Sequence, residues 1–90
     1  MKTLQIRVYG QVQGVGFRYF AHRKASDFSV KGWVRNCNDG SVEVCAQGEE
    51  PKLQQFVKVL EKGPAFASVA RLAVEEMAGD KHYKDFHVEF

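Results

Sequence analysis

Cysteine is scarce in this 90-residue sequence: only Cys37 and Cys45 occur, with no C-x-x-C spacing. A hairpin across Asn38-Asp39-Gly40 sets Cys45 opposite residues near Gly32 and Trp33, well away from Cys37, so a disulfide between them is geometrically poor. The two read as a buried small hydrophobe and a turn thiol. Histidines are equally sparse. His22, His82 and His87 fall on three different elements with no carboxylate cluster beside them, which excludes an evident metal site. No apolar run is long enough for a signal peptide or a bilayer span, so a cytoplasmic protein without a membrane partner is expected. The formal net charge of +2 is too small to imply nucleic acid or a lipid surface, and fits a small anion held at one local site. Linkers, repeats and low-complexity stretches are missing too. Residues 1–90 therefore read as one domain, near the lower size limit for a single apolar core. An apolar content of 44% argues against a disordered segment.

What is present is periodic. Leu4, Ile6 and Val8 alternate with Gln5, Arg7 and Tyr9, the pattern of a strand with one buried face. Residues 10–16 are glycine-rich and aperiodic, hence a loop. From Phe17 the period becomes helical: Phe17, Phe20, Ala21, Ala25 and Phe28 share a face, and His22, Arg23 and Asp27 point to solvent. Residues 30–35 read as a second strand, Asn38-Asp39-Gly40 as a hairpin turn, and Val42, Val44 and Ala46 as a third strand. Pro51 opens a helix with Leu53, Phe56, Val57 and Leu60 on its apolar face, and Gly63-Pro64 stops it. Ala70, Leu72 and Val74 form a fourth strand. Phe86, Val88 and Phe90 form a short last one after a polar loop at 78–84. The order β-α-β-β-α-β plus a terminal strand predicts an α+β, ferredoxin-like split βαβ fold, with two helices on one face of a mainly antiparallel sheet. That fold hosts many functions, so function must be sought in a site.

Two segments carry chemistry. The first is Gly10-Gln11-Val12-Gln13-Gly14-Val15-Gly16-Phe17-Arg18, which joins a strand to a helix. Its glycines let backbone N–H groups converge, the helix start adds unpaired N–H groups, and Arg18 in the first turn can reach back over the loop. A planar guanidinium beside such amides suits a phosphate. No Lys-Ser or Lys-Thr follows the glycines, which excludes a Walker A loop, and Tyr19 stands where the dinucleotide fingerprint needs Gly or Ala. The plainer alternative is a tight glycine turn with a surface arginine. In the second segment, Asn36 shares strand parity with Val30, Gly32 and Val34. Its carboxamide can donate and accept at once and so orient a water molecule; alternatively, Asn36 simply closes the hairpin.

Together the two segments resemble the acylphosphatase family, whose pattern Gly-x-Val-Gln-Gly-Val-Gly-Phe-Arg followed by Gly-Trp-Val-x-Asn stands here as Gly10 to Arg18 and Gly32 to Asn36, with the hairpin Gly40. Weaker similarity runs through Val44, Gly48, Gly63-Pro64, Val69 and the Phe86-x-Val88 strand. The resemblance implies hydrolysis of acyl phosphates, small molecules with a carboxyl–phosphate anhydride, without metal or cofactor. It implies phosphate binding by Gln13, Gly14, Val15, Gly16, Phe17 and Arg18, with Asn36 placing the attacking water. Inorganic phosphate or similar anions are then expected as product or inhibitor, and the protein as a monomer. Two departures stand out: Ser29 replaces a usual glycine after the first helix, and Glu89-Phe90 replaces a usual Arg-Tyr ending. Two rivals remain. Gln13 to Phe20 echoes an RNA-binding aromatic motif, although that motif belongs on a central strand. A non-catalytic acylphosphatase-like domain of a larger carbamoyl-transfer protein is the other, and the start at Met1 and the end just after the last strand favour an independent enzyme.

Overall fold

The computed structural model describes residues 1–79 and 81–90. The alternation around Ile6 extends in both directions into a ten-residue strand, β1 (Lys2–Gln11). It runs further than the pattern suggests. Gly10 and Gln11, expected in the loop, pair with Val69 and Ser68 after a register shift between Tyr9 and Gly10. A bulge absorbs the mismatch and lets the ladder continue, so the loop proper is only residues 12–16.

Helix α1 (Phe17–Asp27) buries Phe17, Phe20, Ala21 and Ala25, and leaves His22, Arg23 and Asp27 exposed. Its end is a Schellman motif: the Val30 N–H donates to Ala25 O at 2.8 Å and the Ser29 N–H to Ser26 O at 3.3 Å. Ser29 sits there at φ 57°, the left-handed conformation in which glycine is usual. The remaining elements are β2 (Lys31–Asn36), β3 (Val42–Gly48), α2 (Glu50–Lys62), β4 (Ser68–Met77) and β5 (Phe86–Val88). β4 outlasts the apolar pattern by three residues, and Phe90 falls beyond β5. The polar loop expected at 78–84 includes Asp80, which lies outside the described residues.

The strands lie in the order β4-β1-β3-β2-β5. Every pair is antiparallel except β2 with β5, as a split βαβ fold requires. Ile6, Val8, Val34, Val42 and Val44 from the sheet meet Phe17, Phe20 and Ala21 of α1 and Leu53, Phe56 and Leu60 of α2 in one buried cluster. Each large member contributes roughly 1.5–3 kcal/mol by leaving water. The other sheet face is polar. At its centre the buried Glu43 carboxylate takes hydrogen bonds from Gln5 and Arg35 and pairs with Arg7. The Arg35 guanidinium also lies 5.2 Å from the Trp33 ring. Trp33 pairs across the ladder with Cys45, and both cysteines are free, as the hairpin spacing requires.

Candidate active site

Val12, almost wholly buried, pins the start of the glycine loop to the core. Gln13 then ties the loop sideways: its Nε2 donates to Cys37 O and to Ser41 O, both at 2.8 Å. One side chain thus fixes the loop against the β2–β3 hairpin. Gly14 and Gly16 follow at φ 75° and 79°, with open space where a Cβ would project. Their requirement is conformational, since an L side chain resists that region by about 1–2 kcal/mol. Gly16 is also the N-cap of α1, and no side chain caps the first turn. The first N–H groups of the helix are therefore left for a ligand or solvent, at the positive end of its dipole.

Arg18 follows in the first turn and is half-buried. Its Nη1 donates to Glu89 O at 3.1 Å, and the guanidinium lies 4.6 Å from the centre of the Phe90 ring. The tail that holds it is itself anchored, since the Glu89 N–H donates to Val34 O at 2.8 Å. The residues after β5 therefore orient the guanidinium that lies beside the loop.

Asn36 is the last residue of β2, paired with Val42, on the sheet face of Gly32 and Val34 but exposed where they are buried. The hairpin is closed by Asp39 instead: its Oδ1 accepts from the Ser41 N–H at 2.9 Å and from Ser41 Oγ at 2.6 Å. These bonds, the hydroxyl first, hold the Asp39 carboxyl below its ordinary pKa, with Arg7 adding to the effect. The Asn36 carboxamide has no hydrogen-bond partner among the described residues, and is thus available for a bound molecule.

Gly14, Gly16, Phe17, Arg18 and Asn36 line one cavity of about 120 Å³, completed by Val12 and Tyr19. Of the residues expected at a phosphate site, Gln13 and Val15 stay off this lining. The Gln13 amide is committed to the hairpin and the Val15 side chain packs on the core, which leaves only their backbone groups for a ligand. Tyr19, Glu89 and Phe90 were not legible as parts of the site. Tyr19 is a ring one residue past the motif, and the tail reaches Arg18 only through the β2–β5 pairing. A wider cavity of about 430 Å³ abuts Asn36 from the other side, between Arg7, Arg35 and Asp39. Its arginines are already matched by Glu43 and Asp39, so it offers an anion less than the glycine loop does. The stretch that echoes an RNA-binding motif lies in the loop and α1, not on a central strand, so its aromatics do not form a stacking platform on the sheet.

A sequence model of the acylphosphatase family matches residues 4–88. The chain is 45% identical to the acylphosphatase of Oceanobacillus iheyensis, with both proteins covered in full. It is 48% identical to the acylphosphatase of Thermotoga maritima, over 100% of this chain and 99% of that protein. Among solved structures, the crystal structure of acylphosphatase from Bacillus subtilis superposes with a TM-score of 0.97 at 39% identity, covering 100% of each chain.

Proposed function

The chain belongs to the acylphosphatase family and has acylphosphatase activity, and from that premise we propose that Arg18 and the loop amides grip the phosphate while Asn36 places the attacking water. The observation that carries this reading is the shared cavity: a guanidinium from α1 and an uncommitted carboxamide from β2 face one space beside Gly14 and Gly16. The N–H groups of Gln13, Gly14, Val15, Gly16 and Phe17 complete the grip.

So few groups suffice because of the substrate. Cleaving a carboxyl–phosphate anhydride releases a carboxylate, already a stable anion, so no general acid need protonate it. Two tasks remain: neutralising charge on the phosphoryl oxygens and aligning water opposite the departing oxygen. Phosphoryl transfer runs through a loose, in-line transition state in which positioning and electrostatics supply most of the catalysis. Arg18 and the amides do the first task, and Asn36 does the second. A carboxamide is a poor base, so the water proton passes late, to the substrate phosphate or to solvent. Inorganic phosphate, the product, competes for the same grip.

The reading extends to one acylphosphatase-like unit over 1–90, working as a cytoplasmic monomer without metal or cofactor. Among the described residues, no helix is long and apolar enough to cross a membrane. The test is phosphate release from benzoyl phosphate in the presence of a chelator, beside an ordinary phosphate monoester. Selective cleavage of the anhydride is expected; equal cleavage of the monoester, or dependence on added metal, would overturn the mechanism.

A further inference from the structure

We propose that Tyr19 is the platform for the acyl half of the substrate, and that it biases the enzyme towards acyl phosphates with flat, apolar acyl groups such as aroyl phosphates. The inference rests on the mechanism above, in which Asn36 holds the water. Asn36 comes from the sheet layer, at the end of β2, and Tyr19 from the helix layer, in the first turn of α1. Both line the cavity that also holds Gly14, Gly16 and Arg18. In-line displacement requires the leaving oxygen to depart on the side of phosphorus opposite the water. With water on the sheet side, the acyl group is carried out on the helix side.

Tyr19 is the large side chain the helix places at that exit. It is 63% exposed, unlike Phe17 and Phe20 of the same helical turn, which are buried in the core. Among the described residues no other ring or cation stacks on it, whereas Tyr9 and Trp33 carry Arg71 and Arg35 on their faces. An uncovered aromatic face at the mouth of a phosphate site offers stacking to a planar apolar group and little to a methyl group.

The measurement is kcat/KM for benzoyl phosphate and for acetyl phosphate with the unmodified protein, Tyr19→Ala and Tyr19→Phe. The two substrates share the reacting group, so their ratio reports the acyl contact alone. In Tyr19→Ala the benzoyl-to-acetyl ratio falls about three- to tenfold, the range for losing one aromatic contact, with the change mainly in KM for benzoyl phosphate. Tyr19→Phe keeps the ratio within about twofold, because the ring face acts and not the hydroxyl. A ratio unmoved in Tyr19→Ala, or one that falls as far in Tyr19→Phe, overturns the assignment to the ring while leaving the mechanism standing. No phosphate release from either compound by the unmodified protein overturns the mechanism and this inference with it.

Discussion

At the scale of single residues, the guanidinium of Arg18 divides its work. One of its five N–H donors is spent on Glu89 O, which orients the plane and, in the proposed mechanism, leaves the rest of the fork for phosphoryl oxygens. Replacing it by alanine removes both charge and fork. Turnover in Arg18→Ala is expected to fall by roughly 10³-fold or more, the scale for an arginine acting on a transferring phosphoryl group. Arg18→Lys restores charge but cannot bridge two oxygens or stack on Phe90 in the same way, so steady-state assays should find it nearly as impaired; near-normal turnover would refute the bidentate role. In the proposed mechanism Asn36 works differently, aiming water without holding the anion. Asn36→Ala should lose turnover heavily while inorganic phosphate still inhibits with nearly its original affinity. Equal weakening of that inhibition would make Asn36 a phosphate ligand.

At the scale of elements, the periodic parts were legible because burial dictates them. Ile6 and Val8 on β1, and Leu53, Phe56 and Leu60 on α2, must face one core whatever the chain does elsewhere. The ends were harder, since hydrogen bonds and dihedrals set them. Ser29 shows this: the family resemblance leads one to expect a glycine there, and the structure places that serine at φ 57° inside a Schellman motif. A left-handed L residue costs about 1–2 kcal/mol, against about 0.5–1 kcal/mol for the extra chain freedom of glycine. Ser29→Gly should therefore stabilise the fold by about 0.5–1 kcal/mol, read from the denaturation midpoint; destabilisation would mean the serine side chain contributes more than its backbone costs. The β2–β3 turn carries a pH dependence. The folded pKa of Asp39 is lowered, so its contribution is fully present above the ordinary value of 3.8 and lost as pH falls through the lower folded value. The stability difference between the unmodified protein and Asp39→Asn should be steady near neutrality and shrink towards zero in acid below that value. A difference that stays constant into strong acid would show that the Asp39 charge contributes nothing to the turn.

At the scale of the whole molecule, the site is assembled from parts that sequence patterns see only separately. The loop, Arg18 and Asn36 stood out because each sits at a recognisable junction, strand to helix or strand to turn, and the roles proposed for them come from the family resemblance. Glu89 and Phe90 were not, because they meet Arg18 across 71 positions of sequence and only the parallel pairing of β2 with β5 brings them there. An ending of Glu-Phe gives no local sign that its carbonyl and ring will hold Arg18. The dependence is testable through the ring, which is largely exposed and contributes little to the core. An exposed cation–π contact is worth about 0.5–1 kcal/mol, which corresponds to roughly two- to fivefold in binding. Phe90→Ala should therefore weaken inhibition by inorganic phosphate about two- to fivefold, through a guanidinium held by Glu89 O alone. Thermal stability should barely move, and Phe90→Tyr should restore the affinity by restoring the ring. If phosphate inhibition is unchanged in Phe90→Ala while the melting temperature falls, the tail serves the fold and not the arginine.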